Sequence, residues 1–240
     1  MKSATSYYQE SFKSLKNGLG KFVLGLVSVY LLVSPIVIAY ELAIVEGQRN
    51  PSLILIALCL YLVGMFFLSP FYLYGPYAMA NELVKTGQTK VSTVFEAKNN
   101  YLKILGTLFL KGLYTLGWTL LLIVPGMIKS FSYSMTYFII RENPEMGADE
   151  AIEKSMKMMD GHKGELFVLL LLYGLLFLVV YIIFMVLMFV FACINQVLVV
   201  IPVILMLLSI VVMMSVLYTV MAHFYDDLKA QENPSQVELE

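Results

Sequence analysis

Apolar residues run along this chain in long blocks separated by short polar stretches, and the block lengths set the first expectation. A helix needs about 20 mostly apolar residues to cross a bilayer. Phe22–Val45, Ser52–Ala80, Ile104–Val124, Leu166–Phe191 and Val197–His223 all meet that length. Met127–Ile140 is equally apolar but has only 14 residues, which cover about 21 Å at about 1.5 Å per residue. The pattern predicts an all-α polytopic membrane protein with six spans arranged as three hairpins. They form one membrane domain over residues 1–230, followed by a polar tail, residues 231–240. Pro125-Gly126 marks the turn between the third and fourth spans. Ser69–Tyr77, rich in Tyr and Pro, reads as an interfacial exit from the second.

Charge distribution sets the orientation. Basic residues concentrate in cytoplasmic loops near helix ends. With six crossings and a cytoplasmic N-terminus, the inner segments hold Lys2, Lys13, Lys16, Lys21, Lys85, Lys90, Lys98, Lys103, Arg141, Lys154, Lys157, Lys163 and Lys229. Outside lie Arg49 and Lys129, and Lys111 falls within the third span. If only the fourth crossing were dropped, Arg141 through Lys163 would move outside and the bias would weaken. Six crossings with both termini in the cytoplasm, in a plasma membrane, follow as the expectation.

Between the spans, Thr5–Gly18, Val91–Asn100 and Gly147–Asp160 each read as a short amphipathic stretch leading into a span, which suggests a repeated unit of surface helix plus hairpin. The third stretch, a helix over about 148–160, is clearest. Asp149 and Glu150 suit a first turn, Gly161 supplies a stop, and Ile152, Met156 and Met159 share a face. Such a helix belongs in the headgroup plane.

Composition narrows the function classes. Hydrophobic residues make up 60% of the chain and charged ones 14%, against about 45–50% and about 25% in soluble domains. Lipid must therefore cover much of the surface. A net charge of -1 gives no field that would gather nucleic acid. The first apolar run is too long for the core of a cleaved signal peptide. Cys59 and Cys193 form no metal or redox pattern, and the chain has two His. No nucleophile-elbow, zincin or phosphate-loop motif occurs, so no cofactor is expected and catalysis has little material.

Ionisable residues inside apolar spans are costly and become candidates on that ground. Glu41, Lys111 and Lys129, with the Pro125-Gly126 break, are candidate ligand-binding residues; Glu41 and Lys129 read first as snorkelling to the interface, Lys111 either snorkels inward or faces a cavity, and the break reads first as a plain turn. Lys157, His162 and Lys163 could meet a lipid phosphate, or simply complement a helix C-terminus. His223 and Asp227 share a helix face, Asp226 is adjacent, and Glu82 leaves the second span at a similar depth. These four are the candidate metal ligands of an enzymatic alternative.

The third and fourth spans carry a resemblance. Trp118–Lys129 followed by Tyr133-Ser134-Met135, then Asn143-Pro144-Glu145, Ala151-Ile152, Ser155, Met158-Met159, Gly161-His162-Lys163 and Leu166-Phe167, resemble the family catalogued as domain of unknown function 975, common in Gram-positive bacteria. Gly75-Pro76 and Leu83–Gly87 fit more loosely. Members often carry Gly-Trp shortly after Gly-His-Lys, whereas here Tyr173-Gly174 stands in a plain apolar run. The resemblance implies a six-helix bacterial membrane protein and supplies no catalytic residues. The leading expectation is a non-enzymatic bundle that binds or transports a lipid, peptide or small amphiphile. An accessory subunit with a membrane-protein partner, or a homo-oligomer, is equally open. The alternatives are a metal-dependent enzyme acting on a lipid headgroup, and a protective or sensory protein against membrane-active peptides.

Overall fold

The computed structural model describes residues 2–47 and 51–232, and every regular element within them is helical. Residues 48–50 of the first loop and 233–240 of the polar tail lie outside the described residues. The elements are α1 (Ala4–Gly47), α2 (Pro51–Ser69), a π-helical turn (Pro70–Tyr74), α3 (Gly75–Thr86), a 3-10 segment (Val91–Asn100), α4 (Tyr101–Leu121) and α5 (Ile123–Ser132). There follow α6 (Thr136–Glu142), α7 (Ala148–Met158), α8 (Lys163–Ile194), a short 3-10 turn (Gln196–Val199) and α9 (Val200–Glu232). Among the described residues, five stretches are long and apolar enough to cross a membrane: Ala4–Val45, Ser52–Thr86, Val91–Leu121, Lys163–Ile194 and Gln196–Glu232.

Pro35 and Pro70 lie inside two of these stretches without ending them, and the same device serves both. Pro35 has no N–H for the carbonyl of Leu31, and the Ser34 hydroxyl donates to that oxygen at 3.0 Å. Pro70 leaves the carbonyl of Phe66 without its donor, and Ser69 supplies one at 2.6 Å. In lipid an orphaned carbonyl has no water to turn to, so a preceding serine keeps the helix intact. The Ser69–Tyr77 stretch therefore continues as helix through the π-helical turn.

The fourth expected span is not one helix. Between α5 and α6 the backbone turns at Tyr133–Met135, and Ser155 of α7 occupies the gap. Its hydroxyl donates to the Ser132 carbonyl at 2.8 Å and accepts from the Met135 N–H at 3.1 Å. The two short helices have 10 and 7 residues, and neither alone reaches a spanning length. The break before α5 also falls earlier than expected. Leu122 is the extended residue, and Pro125-Gly126 sits in the first turn of α5, where a proline's missing N–H costs nothing. The chain from α5 to Pro144 then retraces α4 antiparallel, pairing Lys129 with Trp118, Tyr133 with Tyr114, Tyr137 with Lys111 and Pro144 with Lys103.

Of the three amphipathic stretches, only α7 is a separate helix. Thr5–Gly18 is the first part of continuous α1, and Val91–Asn100 is a 3-10 segment wedged against α3 with Val94 and Ala97 buried. Gly75 makes the close approach possible, because a Cβ there would meet the Val94 carbonyl.

Side-chain burial concentrates at one end of the bundle, where α1 starts and α9 finishes. Phe22, Met79, Leu83, Phe138, Ile139, Met159, Leu166 and Phe224 are all inaccessible there. Ion pairs and hydroxyls lock the same end. Tyr7 donates to Asp227 at 2.8 Å, Lys2 bridges Glu10 and Asp227, and Glu142 takes both Lys85 and Lys229. Away from that end, α8 beyond Tyr173 and α1 beyond Val33 bury almost nothing.

Candidate functional site

Beside the core, α3, α4, α5, α6, α8 and α9 line a cavity of about 630 Å3 that opens widely to the surroundings, within the range of roughly 300–1,000 Å3 typical of small-molecule sites. Residues four apart on α4 face it: Lys111, Thr115 and Thr119, with Gly112 beside them leaving open space. Ser130 and Ser134 come from α5 and the turn after it, and Tyr77 and Tyr137 from α3 and α6. Leu108, Leu166, Leu170, Leu217 and Met221 make the rest mainly apolar.

Lys111 is the cavity's one charge. Its Nζ lies 4.0 Å above the centre of the Tyr137 ring, and among the described residues no carboxylate pairs with it. Removing an ion from water costs several kcal/mol even after relaxation. A cation–π contact returns only about 0.5–2 kcal/mol. Lys111 is half-buried at an open cavity, so beyond that ring contact the ammonium is met by whatever fills the opening.

The hydroxyls divide into two sets. Thr115, Thr119, Ser130 and Ser134 donate to the carbonyls of Lys111, Thr115, Met127 and Phe131 at 2.7–2.8 Å. Their protons are spent on the helices, which is how Ser and Thr behave mid-helix. Tyr77 and Tyr137 make ring contacts instead, 5.0 Å apart, with Tyr77 also 5.0 Å from Tyr218. Among the described residues neither phenol hydroxyl has a hydrogen-bond acceptor.

Residues 118–190 match the family described as a protein of unknown function, DUF975. Neither the curated proteins nor the solved structures give a match. The DUF975 match carries one wall of the cavity, from Thr119 through Tyr137 to Leu170, while Lys111 and Tyr77 lie outside it.

The other candidates are dispersed. Glu41 is exposed on the far half of α1, and Lys129 sits 4.9 Å over the Trp118 ring with Met156 Sδ 3.8 Å away, so no ion pair joins the two. Pro125 and Gly126 belong to helix packing, since a Cβ on Gly126 would overlap Thr119. Lys157, His162 and Lys163 each face an acid of their own turn: Glu153, Glu165 and Asp160.

The candidate metal ligands are also apart. Glu82 accepts from Thr89, Thr93 and the Lys90 N–H, fixing the loop after α3. His223 meets Ser14 at 3.0 Å, and Asp227 is held by Tyr7 and Lys2. Among the described residues no three such groups converge as a metal requires. Of the sequence candidates, Lys111 is the one that lines this cavity. Sequence reasoning missed Tyr77 and Tyr137, whose spacing from Lys111 follows no local period.

Proposed function

We propose that the protein is a non-enzymatic, multi-pass protein of a bacterial plasma membrane, with both termini cytoplasmic, that takes up an amphiphilic molecule in the Lys111 cavity. One observation carries this reading: a mainly apolar cavity holding a single cation that the protein itself leaves unpaired. A molecule with one polar end and an apolar chain complements both features. The cytoplasmic assignment rests on the basic residues, which crowd the end that is packed.

We also propose four crossings, α1, α2–α3, α8 and α9, with the α4–α5 hairpin lying along the inner face instead of adding two more. The argument comes from α7. It runs beside the hairpin, with Asp149 accepting from Tyr114 and Met156 against Lys129. Yet Asp149, Glu150, Glu153 and Lys157 are exposed. Exposed charges stay at headgroup depth, and α4 from Lys103 to Trp118 must then lie at a similar depth. Under this arrangement every Lys and Arg of the chain except Arg49 falls on one side, a sharper bias than six crossings give.

Two experiments separate these claims. Gly112→Leu fills the open space in the cavity and should strip copurifying amphiphile detected by native mass spectrometry; undiminished ligand sinks the cavity reading. For topology, single cysteines are placed in a background of Cys59→Ser and Cys193→Ser. An impermeant maleimide should reach Asn195→Cys from outside intact cells and miss Leu122→Cys. Outside labelling of Leu122→Cys would restore six crossings.

A further inference from the structure

We infer that the cavity selects an anionic amphiphile, its carboxylate or phosphate headgroup held by the Lys111 ammonium, with the Tyr77 and Tyr137 hydroxyls as further donors in the same lining. This rests on the amphiphile reading above and names the chemistry of the headgroup.

The assignment follows from which hydrogen-bonding groups remain unspent. An ammonium offers three donors and no acceptor. Around Lys111 the four aliphatic hydroxyls of the lining direct their protons into helix carbonyls. The two phenols beside it keep theirs, among the described residues, without an acceptor. The lining thus holds one positive charge and two phenol donors, and no carboxylate. A cationic headgroup would meet that charge with no carboxylate to offset it. A neutral alcohol could accept one hydrogen bond but would leave the ammonium uncompensated. An anion satisfies the ammonium and accepts from a phenol in the same place, and charge-assisted bonds of this kind are the stronger class.

Placement supports the same ligand. Tyr77 packs against Tyr137, Phe138 and Tyr218, a cluster of amphipathic rings of the sort found at headgroup depth. Leu166, Leu170 and Leu217 continue the lining along α8 and α9, whose exposed apolar faces lead away from the charge. A headgroup at Lys111 would leave its chain running toward the bilayer interior. Carboxylate and phosphate share this chemistry, and the experiment distinguishes them.

Trp118 is the chain's only tryptophan and its neighbour Thr119 lines the cavity, so it reports occupancy directly. In phosphatidylcholine nanodiscs, 9,10-dibromostearate, the matching alkyl phosphate and the matching alcohol would be titrated and the saturable quenching of Trp118 recorded. At least one anion should half-saturate at a concentration about tenfold below that of the alcohol, as expected for a hydrogen bond to a charged group. An advantage for only one anion names the headgroup. Lys111→Met should erase the gap and Lys111→Arg should keep most of it. The wild-type comparison of anion with alcohol needs no variant, so it stands even if Lys111→Met fails to fold. Equal saturation by anions and alcohol would overturn the anion inference while leaving the cavity reading intact. If no probe saturates, or Gly112→Leu leaves saturation unchanged, the cavity reading itself falls, and this inference with it.

Discussion

The two halves of the long helices draw on similar apolar residues and treat them in opposite ways. On α1, Phe22, Leu26 and Val29 are buried, whereas Leu31, Ile38 and Leu42 further along are exposed. On α9, Val216, Val220 and Phe224 are buried, while Ile204, Leu205 and Leu208 are half open. On α8 the most apolar stretch buries none of its residues. In lipid a leucine gains nothing from the hydrophobic effect by leaving the solvent, because that solvent is as apolar as the helix it would join. In the packed half the apolar side chains are interleaved with ion pairs and hydroxyl bonds, so burial there is specific. Ion pairs and hydroxyl bonds fix which helix ends meet. The fold is decided at one end, and the far half needs only to be long and greasy.

The strongest way to break that comparison is to delete a large side chain from each half. Phe138 is fully buried, stacks on Tyr225 at 4.9 Å and meets Tyr77 edge-on at 5.2 Å. Phe138→Ala should cost about 3–5 kcal/mol and lower Tm steeply in thermal unfolding of the detergent-solubilised protein. Phe189→Ala, at a residue 72% exposed on the far half of α8, should leave Tm unchanged. A comparable loss at Phe189 would mean that another chain covers the far half.

The next largest effect belongs to the junction of α7. Ser155 is fully buried and joins two backbone groups that the turn at Tyr133–Met135 leaves unpaired. Ser155→Ala orphans both, at roughly 1–3 kcal/mol for a buried group left without a partner. Limited proteolysis should then open the stretch between α6 and α7 first; unaltered resistance would mean that α7 docks by apolar contact alone.

Glu142 gives a smaller effect with a pH signature. Burial works against its charge, but hydrogen bonds from Lys229 and Lys85 outweigh it and hold the carboxyl below the usual glutamate range. A carboxyl depressed by folding contributes stability that is fully present above its unfolded value and lost as pH falls through its folded one. Tm of the native chain should therefore drop on acidification below the ordinary glutamate value. Glu142→Gln, about 1–2 kcal/mol less stable near neutral pH, should show a shallower drop. Parallel acid profiles for the two chains would assign the acid sensitivity to other carboxylates.

Element ends and apolar runs were largely legible, for local reasons. Gly161 adopts φ +81° at the stop expected after α7, and Gly87 adopts φ +71° after α3, backbone settings that only glycine takes cheaply. Ile152 and Met159 do face the core, although Ala151, Ser155 and Met158 complete that face and Met156 is only half-buried. What stayed hidden was non-local. Hydropathy registers that Met127–Ile140 is apolar but not that a serine 20 residues downstream will part it. It places Lys111 in an apolar run but not beside a phenol ring 26 residues later. The break at Leu122 was shifted because Pro125 is tolerated in a first turn, so its presence marks the start of α5 and not the turn itself.

The smallest effect tests where water begins. α7 buries Ala151, Ile152, Ser155 and Met158 and turns Glu150, Glu153 and Lys157 outward, with Glu153 and Lys157 paired at 2.8 Å on the open face. An exposed pair of this kind is screened and contributes little. Glu153→Ala should accordingly leave Tm unchanged within measurement, in detergent and in nanodiscs alike. The placement of the α4–α5 hairpin along the membrane face depends on that face being wet. If removing Glu153 changes stability clearly, the charges of α7 are shielded, and the hairpin beside them is free to run deeper. If removal is silent while Glu153→Leu raises nanodisc stability above detergent stability, α7 sits at the lipid boundary, where an added apolar side chain finds acyl chains to enter.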